Sequence, residues 1–188
     1  MLNMRDDIVL WRRLDVPGHD ACRISKSETG WSLSGTALFL EGRDVARLDY
    51  RVQCDALWRS LSAQVRGWAG DRDIQIQLAR IEDQWSLNGT WLSGLDGVED
   101  IDLGFTPATN TSAIRRMQLG LGARADTVAA WLDTSDWHIK PLAQGYTRLS
   151  DHLYRYRSPE HDYESDLQIN EAGLVTSYPE LWKMERTG

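Results

Sequence analysis

Ala46-Arg47-Leu48-Asp49-Tyr50-Arg51-Val52-Gln53-Cys54 alternates dry and wet side chains without a break. A period of two places Ala46, Leu48, Tyr50, Val52 and Cys54 on one face of a strand and Arg47, Asp49, Arg51 and Gln53 on the other. The same pattern extends outward in both directions. Trp31, Leu33, Ala37 and Phe39 alternate with Ser32, Ser34 and Thr36. Leu61, Ala63 and Val65 alternate with polar or charged residues, as do Ile74, Ile76 and Leu78, and later Tyr163, Ser165, Leu167 and Ile169. Loop-forming residues separate these runs at 41–44, 70–73 and 170–173. Asn88-Gly89, set between Trp85-Ser86-Leu87 and Thr90-Trp91-Leu92, is the strongest hairpin signal, because both residues tolerate the positive φ of a type I′ turn. Short runs joined by tight loops predict antiparallel neighbours. Parallel pairs need crossovers of a dozen residues or more, and almost none are offered.

One segment reads as helix, Thr109 to Met117, with Asn110, Thr111 or Ser112 as N-cap. Thr127 to Leu132 fits a strand. The run from Leu174 to Tyr178 reads as a last strand ended by Pro179, with Trp182 packing back as a plug. Trp31-Ser-Leu-Ser-Gly35 and Trp85-Ser-Leu-Asn-Gly89 nearly repeat, but four matches among common residues do not establish a duplication.

The 188 residues suit one domain, 1–188. With 21 Lys and Arg against 28 Asp and Glu, the net charge of −7 disfavours nucleic acid and anionic membrane surfaces as partners. No stretch approaches membrane-spanning length, so no integral membrane association is expected. Residues 1–13 lack the apolar length and cleavage site of a secretory signal, and two distant cysteines, Cys22 and Cys54, make no disulfide framework. A cytoplasmic location with reduced thiols is the expectation. The four histidines show no short ligand spacing, so neither a metal nor another cofactor is expected. There is no GxSxG elbow, no Walker loop and no dinucleotide fingerprint.

Nine tryptophans against two phenylalanines are the one compositional oddity, and about three quarters of them are expected in the core or on a sheet face.

Two constellations could carry chemistry. From Glu99 to Arg116, Asp100 and Asp102 would share one strand face opposite Ile101, Leu103 and Phe105. Two like charges so placed need a cation, a hydroxyl-rich ligand or protein donors. Thr109, Asn110 and Thr111 supply short polar groups, and Arg115 and Arg116 supply cations. The plain alternative is that both carboxylates pair with these arginines and serve the helix. From Gln144 to Arg157, Tyr146, Tyr154 and Tyr156 lie among arginines, with Tyr154 and Tyr156 on one face. Tyrosine offers an apolar body with a polar tip, suited to an amphipathic ligand or to ordinary cross-strand pairing.

The run Asp100-Ile-Asp-Leu-Gly-Phe-Thr-Pro-Ala-Thr-Asn-Thr, followed by Ile114-Arg115-Arg116, resembles the signature of a glycolipid-binding family that was formerly a domain of unknown function. Asp55-Ala-Leu-Trp58, Gln144-Gly-Tyr146-Thr-Arg148-Leu149 and Gly173-Leu174-Val175 with Tyr178-Pro179-Glu-Leu-Trp182 resemble it too. Ala113 departs from the proline the family favours there. The resemblance implies a large antiparallel sheet curled into a spiral β-roll around a single α-helix near Asn110 to Met117, and a homodimer. It also implies a lipid or glycolipid ligand held on the concave side, a role inferred for the family from its fold. On that reading no residue is catalytic. The candidate ligand-binding residues are Trp58, Asp100, Asp102, Thr109, Asn110, Arg115, Arg116, Tyr146, Tyr154 and Tyr178. A hydrolase using Asp100 or Asp102 as base, and a protein-interaction module displaying its aromatics, are the alternatives.

Overall fold

The computed structural model describes residues 7–185. Its first half is a meander of β1 (Asp7–Arg13), β2 (Gly18–Lys26), β3 (Gly30–Glu41), β4 (Asp44–Asp55), β5 (Ser60–Ala69) and β6 (Arg72–Ile81). The hairpin β7 (Gln84–Leu87) and β8 (Thr90–Trp91) follows. Then come β9 (Asp100–Leu103), α1 (Ala108–Met117), β10 (Arg124–Asp133), β11 (His138–Ser150) and β12 (Leu153–Ser158). After one 3₁₀ turn at Pro159–His161, the chain ends in β13 (Tyr163–Ile169), β14 (Val175–Tyr178) and β15 (Trp182–Met184).

All fifteen strands form one sheet, in the order β8-β7-β6-β5-β4-β3-β2-β1-β15-β14-β13-β12-β11-β10-β9. The alternation seen in β4 is realised: its residues are buried and exposed in turn, and every second one faces the core. Asn88 and Gly89 take φ of 50° and 84°, as a type I′ turn requires.

Several expectations are corrected. β9 and β10 run parallel, with Ala129 opposite Asp100 and Leu132 opposite Leu103. The helix between them supplies the crossover that a parallel pair needs. The helix starts at Ala108, and none of Asn110, Thr111 or Ser112 caps it. Instead the Ala108 N–H donates to Oγ1 of Thr106 at 3.1 Å. Trp182 packs inward, 5% exposed, but as part of a strand: it lies opposite Arg13, so β15 joins β1 and the described ends of the chain pair edge to edge.

The sheet is curled and open. β9 does not reach β8. It meets the start of β5, where the Ser60 N–H donates to the Glu99 carbonyl (2.8 Å) and the Ile101 N–H donates to Ser60 Oγ (3.3 Å). The overlap leaves β6, β7 and β8 beyond the seam, which is the spiral.

α1 lies inside the curl. Ala108 to Ile114 are all buried, although four of these seven residues are hydroxyl or amide side chains. A helix buried all round must satisfy such groups internally, and three of the four are satisfied, while Thr111 Oγ1 has no hydrogen-bond partner among the described residues. Ser112 Oγ donates to the Thr109 carbonyl (2.8 Å), Thr109 Oγ1 accepts from the Leu103 N–H (3.3 Å), and Asn110 Nδ2 donates to the Tyr146 hydroxyl (2.9 Å). Arg115 and Arg116 occupy the last turn, where cations complement the helix dipole. Of the nine tryptophans only Trp68 and Trp91 are exposed. Trp11 and Trp85 are fully buried, and their indole N–H groups donate to the carbonyls of Val175 (2.6 Å) and Val98 (2.8 Å). Cys22 and Cys54 are buried free thiols, and burial pushes both up to about 12.

Candidate functional site

The helix fills the middle of the roll and leaves a hollow at each end. The helix itself is about 15 Å long, and Asn110 in one wall and Ile114 in the other are about 6 Å apart along it. The wide hollow, about 770 Å³, opens at the C-terminal end of α1 against Ile114, Arg115 and Gln118. The narrow hollow, about 260 Å³, opens at the N-terminal end against Thr106, Pro107 and Asn110.

An aromatic stack forms one wall of the wide hollow. Trp31 and Trp58 lie face to face with centroids 4.5 Å apart. Lys26 Nζ stands 5.4 Å from the Trp31 ring, and the Arg115 guanidinium 5.5 Å from the Trp58 ring. The short segment after β4 holds Trp58 in place. Asp55 Oδ1 accepts from the Leu57 and Arg59 N–H groups, both at 2.9 Å, and Oδ2 accepts from Arg59 Nε at 2.7 Å. Trp58 itself takes a positive φ of 67° and donates its N–H to the Asp55 carbonyl. Tyr154 and Arg148 also line this hollow.

Aromatic rings dominate the narrow hollow. Tyr156, Tyr163 and Tyr178 meet at centroid distances of 6.1–6.2 Å, and Trp131 and Trp182 add to the wall. Burial, first of all, raises the phenols of Tyr156 and Tyr178 far above their usual range. Asp102 is the carboxylate in this wall. It lies deep in the protein and yet keeps part of its surface open to the hollow. Burial raises it to about 6, Asp100 nearby adds to the rise, and donation from Gln144 Nε2 holds it back.

The two aspartates thus have different partners. Asp100 is 1% exposed and receives Arg116 in a two-pronged bond, Nε to Oδ1 at 2.8 Å and Nη2 to Oδ2 at 2.6 Å. Thr127 Oγ1 also donates to Oδ2 (2.8 Å), and Arg116 reaches Glu99 at 3.0 Å. Pairing with an arginine holds for Asp100 and fails for Asp102, whose donors are neutral.

The ten candidate residues therefore divide. Trp58, Arg115 and Tyr154 line the wide hollow, and Asp102, Asn110 and Tyr178 line the narrow one. Asp100, Arg116, Thr109 and Tyr146 line neither and serve the packing that holds the helix. Tyr154 and Tyr156 share a face of β12, but about 7 Å of strand carries one to each hollow.

Sequence reasoning missed Lys26 and Trp31, which face each other across β2 and β3 and carry no local signature. It also missed Asp20, fully buried on the dry face of β2 in register with Cys22 and Ile24. Reading β2 as a period-two strand would have exposed that inward carboxyl. Tyr50 OH donates to Asp20 Oδ2 at 3.0 Å, and Thr106 Oγ1 donates to the same oxygen. Gly35 leaves room for this contact: a Cβ there would stand 2.5 Å from the Tyr50 hydroxyl. Oδ1 of Asp20 has no hydrogen-bond partner among the described residues. Burial drives Asp20 to about 7 against the pull of its two donors.

Among the described residues no cluster of His, Cys, Asp and Glu could hold a metal ion, and no helix is long and apolar enough to cross a membrane.

The sequence family described as "Putative glycolipid-binding" matches residues 8–184. A solved DUF1089 family protein from Pseudomonas aeruginosa superposes with a TM-score of 0.78 at 27% identity, covering 87% of this chain and 91% of that one. No curated protein matches the chain.

Proposed function

The chain belongs to the glycolipid-binding family, and from that premise, together with the hollows at the two ends of α1, we propose that it binds a lipid or glycolipid without transforming it. One observation carries the reading: the buried helix stops short of filling the roll, so a wide hollow with charged groups and a narrow aromatic one stand at its two ends. Ligand sites are concave, with a few placed polar groups among apolar walls. The wide hollow offers Trp58, Arg115 and Tyr154 to a polar head, and the narrow one offers Tyr178 and its neighbours to apolar groups, with Asp102 and Asn110 as placed polar contacts. The expected homodimer and cytoplasmic setting belong to the same proposal.

The test is native mass spectrometry and thermal shift on protein purified from its own host. Co-purified lipid, or a rise in melting temperature with added lipid, is the expected result. Neither appearing across a broad lipid panel would defeat the proposal.

A hydrolase is the second reading, favoured only by Asp102. A carboxyl near 6 suits a general base at neutral pH. Asp100 is a poor partner for it, because Arg116 occupies both of its oxygens. Turnover of ester or glycoside substrates that vanishes in Asp102→Asn with the fold intact would establish this alternative.

A further inference from the structure

We infer that the wide hollow receives the polar end of an amphipathic ligand and that this end is anionic: a phosphate, a sulfate or a sugar carboxylate. The inference rests on the binding role proposed above and adds the chemical class of the head.

Two cations carried on one aromatic stack are the argument. Lys26 and Arg115 stand over Trp31 and Trp58, and both line the hollow. Carboxylates outnumber Lys and Arg by 28 to 21 in this chain, so a cation left without one is informative. Among the described residues neither Lys26 nor Arg115 has a carboxylate in ion-pair contact. Arg148, in the same wall, bonds Asp151 at 2.9 Å and the Leu119 carbonyl at 3.0 Å. Contact with an aromatic face orients a cation without neutralising it, so its charge stays available to a ligand.

The position of Arg115 is built rather than incidental. It leaves the last turn of α1, and its stem passes over Gly173, where a Cβ would stand 3.1 Å from Arg115 Cδ. Trp58 beneath it is pinned through Asp55. Arg115 is half-buried, whereas Lys26 and the two carboxylates of this wall that have no ion pair among the described residues, Glu28 and Glu171, are exposed. Water and salt screen the exposed groups more than the half-buried one, so the field inside the hollow is set by the guanidinium. A guanidinium meets phosphate, sulfate or carboxylate through two parallel N–H donors.

Titration calorimetry with three defined probes tests this: octyl glucuronide, octyl glucoside and free glucuronate, against the wild-type chain and the double variant Lys26→Gln/Arg115→Gln. The expected result is that the wild type binds octyl glucuronide about tenfold more tightly than octyl glucoside, as one charge-assisted contact supports. That ratio should fall to about one in the double variant, with free glucuronate weak throughout. Equal wild-type affinity for the two octyl probes would overturn the anionic head and leave the lipid-binding role standing. No binding of either would overturn both. Free glucuronate matching octyl glucuronide would overturn the proposal as well, by assigning the hollow to a soluble anion. Salt supplies a measurement that needs no variant. Raising it from about 0.01 M to about 1 M cuts the screening length from about 30 Å to about 3 Å. The wild-type preference should shrink accordingly, and a preference indifferent to salt counts against the inference.

Discussion

At the C-terminal end of α1 the wall of the roll carries Lys26, Arg115, Arg148 and Asp151 beside two stacked indoles, and most of these charges meet water. At the N-terminal end tyrosine, tryptophan and leucine dominate the wall, with His161 and Asn110 among its polar groups, and its one aspartate is raised to about 6 by burial. The same helix and the same strands, β11 and β12, stand between the two. The difference shows that a residue's role here follows from its depth along the roll rather than from its type. Asp100 and Asp102 are two residues apart on one short strand, and only one of them faces a hollow. Tyr154 and Tyr156 repeat the lesson on β12.

The two ends stay distinct only while the helix holds its place, so the largest effect should come from Arg116→Met. It strands the buried Asp100 carboxylate, and loss of one partner of such a pair costs about 3–5 kcal/mol. Urea unfolding should show a midpoint far below the wild type. The pair Arg116→Met/Asp100→Leu should recover much of the loss, and no recovery would mean that the bond itself, not the stranded charge, matters.

Asp20 sharpens the contrast from beneath the start of α1. Its folded-state value of about 7 lies above the ordinary 3.8, so the folded protein holds this proton more tightly than the unfolded chain. Stability from this group is fully present below about pH 4 and is lost as pH rises through about 7. Asp20→Asn should therefore be more stable than the wild type by about 2–4 kcal/mol at alkaline pH, with the gap closing towards acid. Asp55, Asp133 and Asp166 are pulled down by cationic partners and work in the opposite sense at lower pH. Being common to both proteins, they cancel in the difference. A gap that stays constant with pH would refute the burial of a titrating Asp20.

Asn110→Ala should cost about 1–2 kcal/mol, because it leaves the buried Tyr146 hydroxyl without its donor. The double variant Asn110→Ala/Tyr146→Phe should lose less than the two single losses added together. Simple additivity would show the bond to be idle.

The smallest expected effect separates the hollows chemically. A neutral apolar probe seated in the narrow hollow drives water from Asp102, which favours the protonated carboxyl. Its affinity should rise several-fold, worth about 1 kcal/mol, as pH falls from 8 to 5 through about 6. In Asp102→Asn that rise towards acid should disappear, since the histidine of this wall, His161, gains charge as pH falls and works against an apolar probe; a rise surviving there would point to a group other than Asp102.

Much of this architecture can be read in the order of side chains. The alternation in residues 46–54 predicts a half-dry strand, and β4 is one, because only a curled or stacked sheet buries every second residue. Asn88-Gly89 predicts its hairpin because few residues tolerate two positive φ values in succession. The local reading of Thr109 to Met117 as helix fell within one residue of its observed start, and the resemblance, with its helix near Asn110, within two. The parallel pairing of β9 with β10 was not legible, since a ten-residue helix looks too short a crossover until its loops are counted. The join of β1 to β15 was equally hidden, because register between distant strands leaves no local mark.

Side-chain periodicity and turn chemistry therefore determine by themselves that this chain makes a mostly antiparallel sheet with one helix, because those are short-range steric and solvation preferences; that the sheet curls about the helix was implied by the family resemblance of the run around Asp100. Which aspartate is neutralised by Arg116, which tyrosine faces which hollow, and that Lys26 and Arg115 share one pair of indoles were decided only by the tertiary structure. Each depends on distances between residues far apart in the chain, and burial and Coulomb energy are set by those distances rather than by neighbours in sequence.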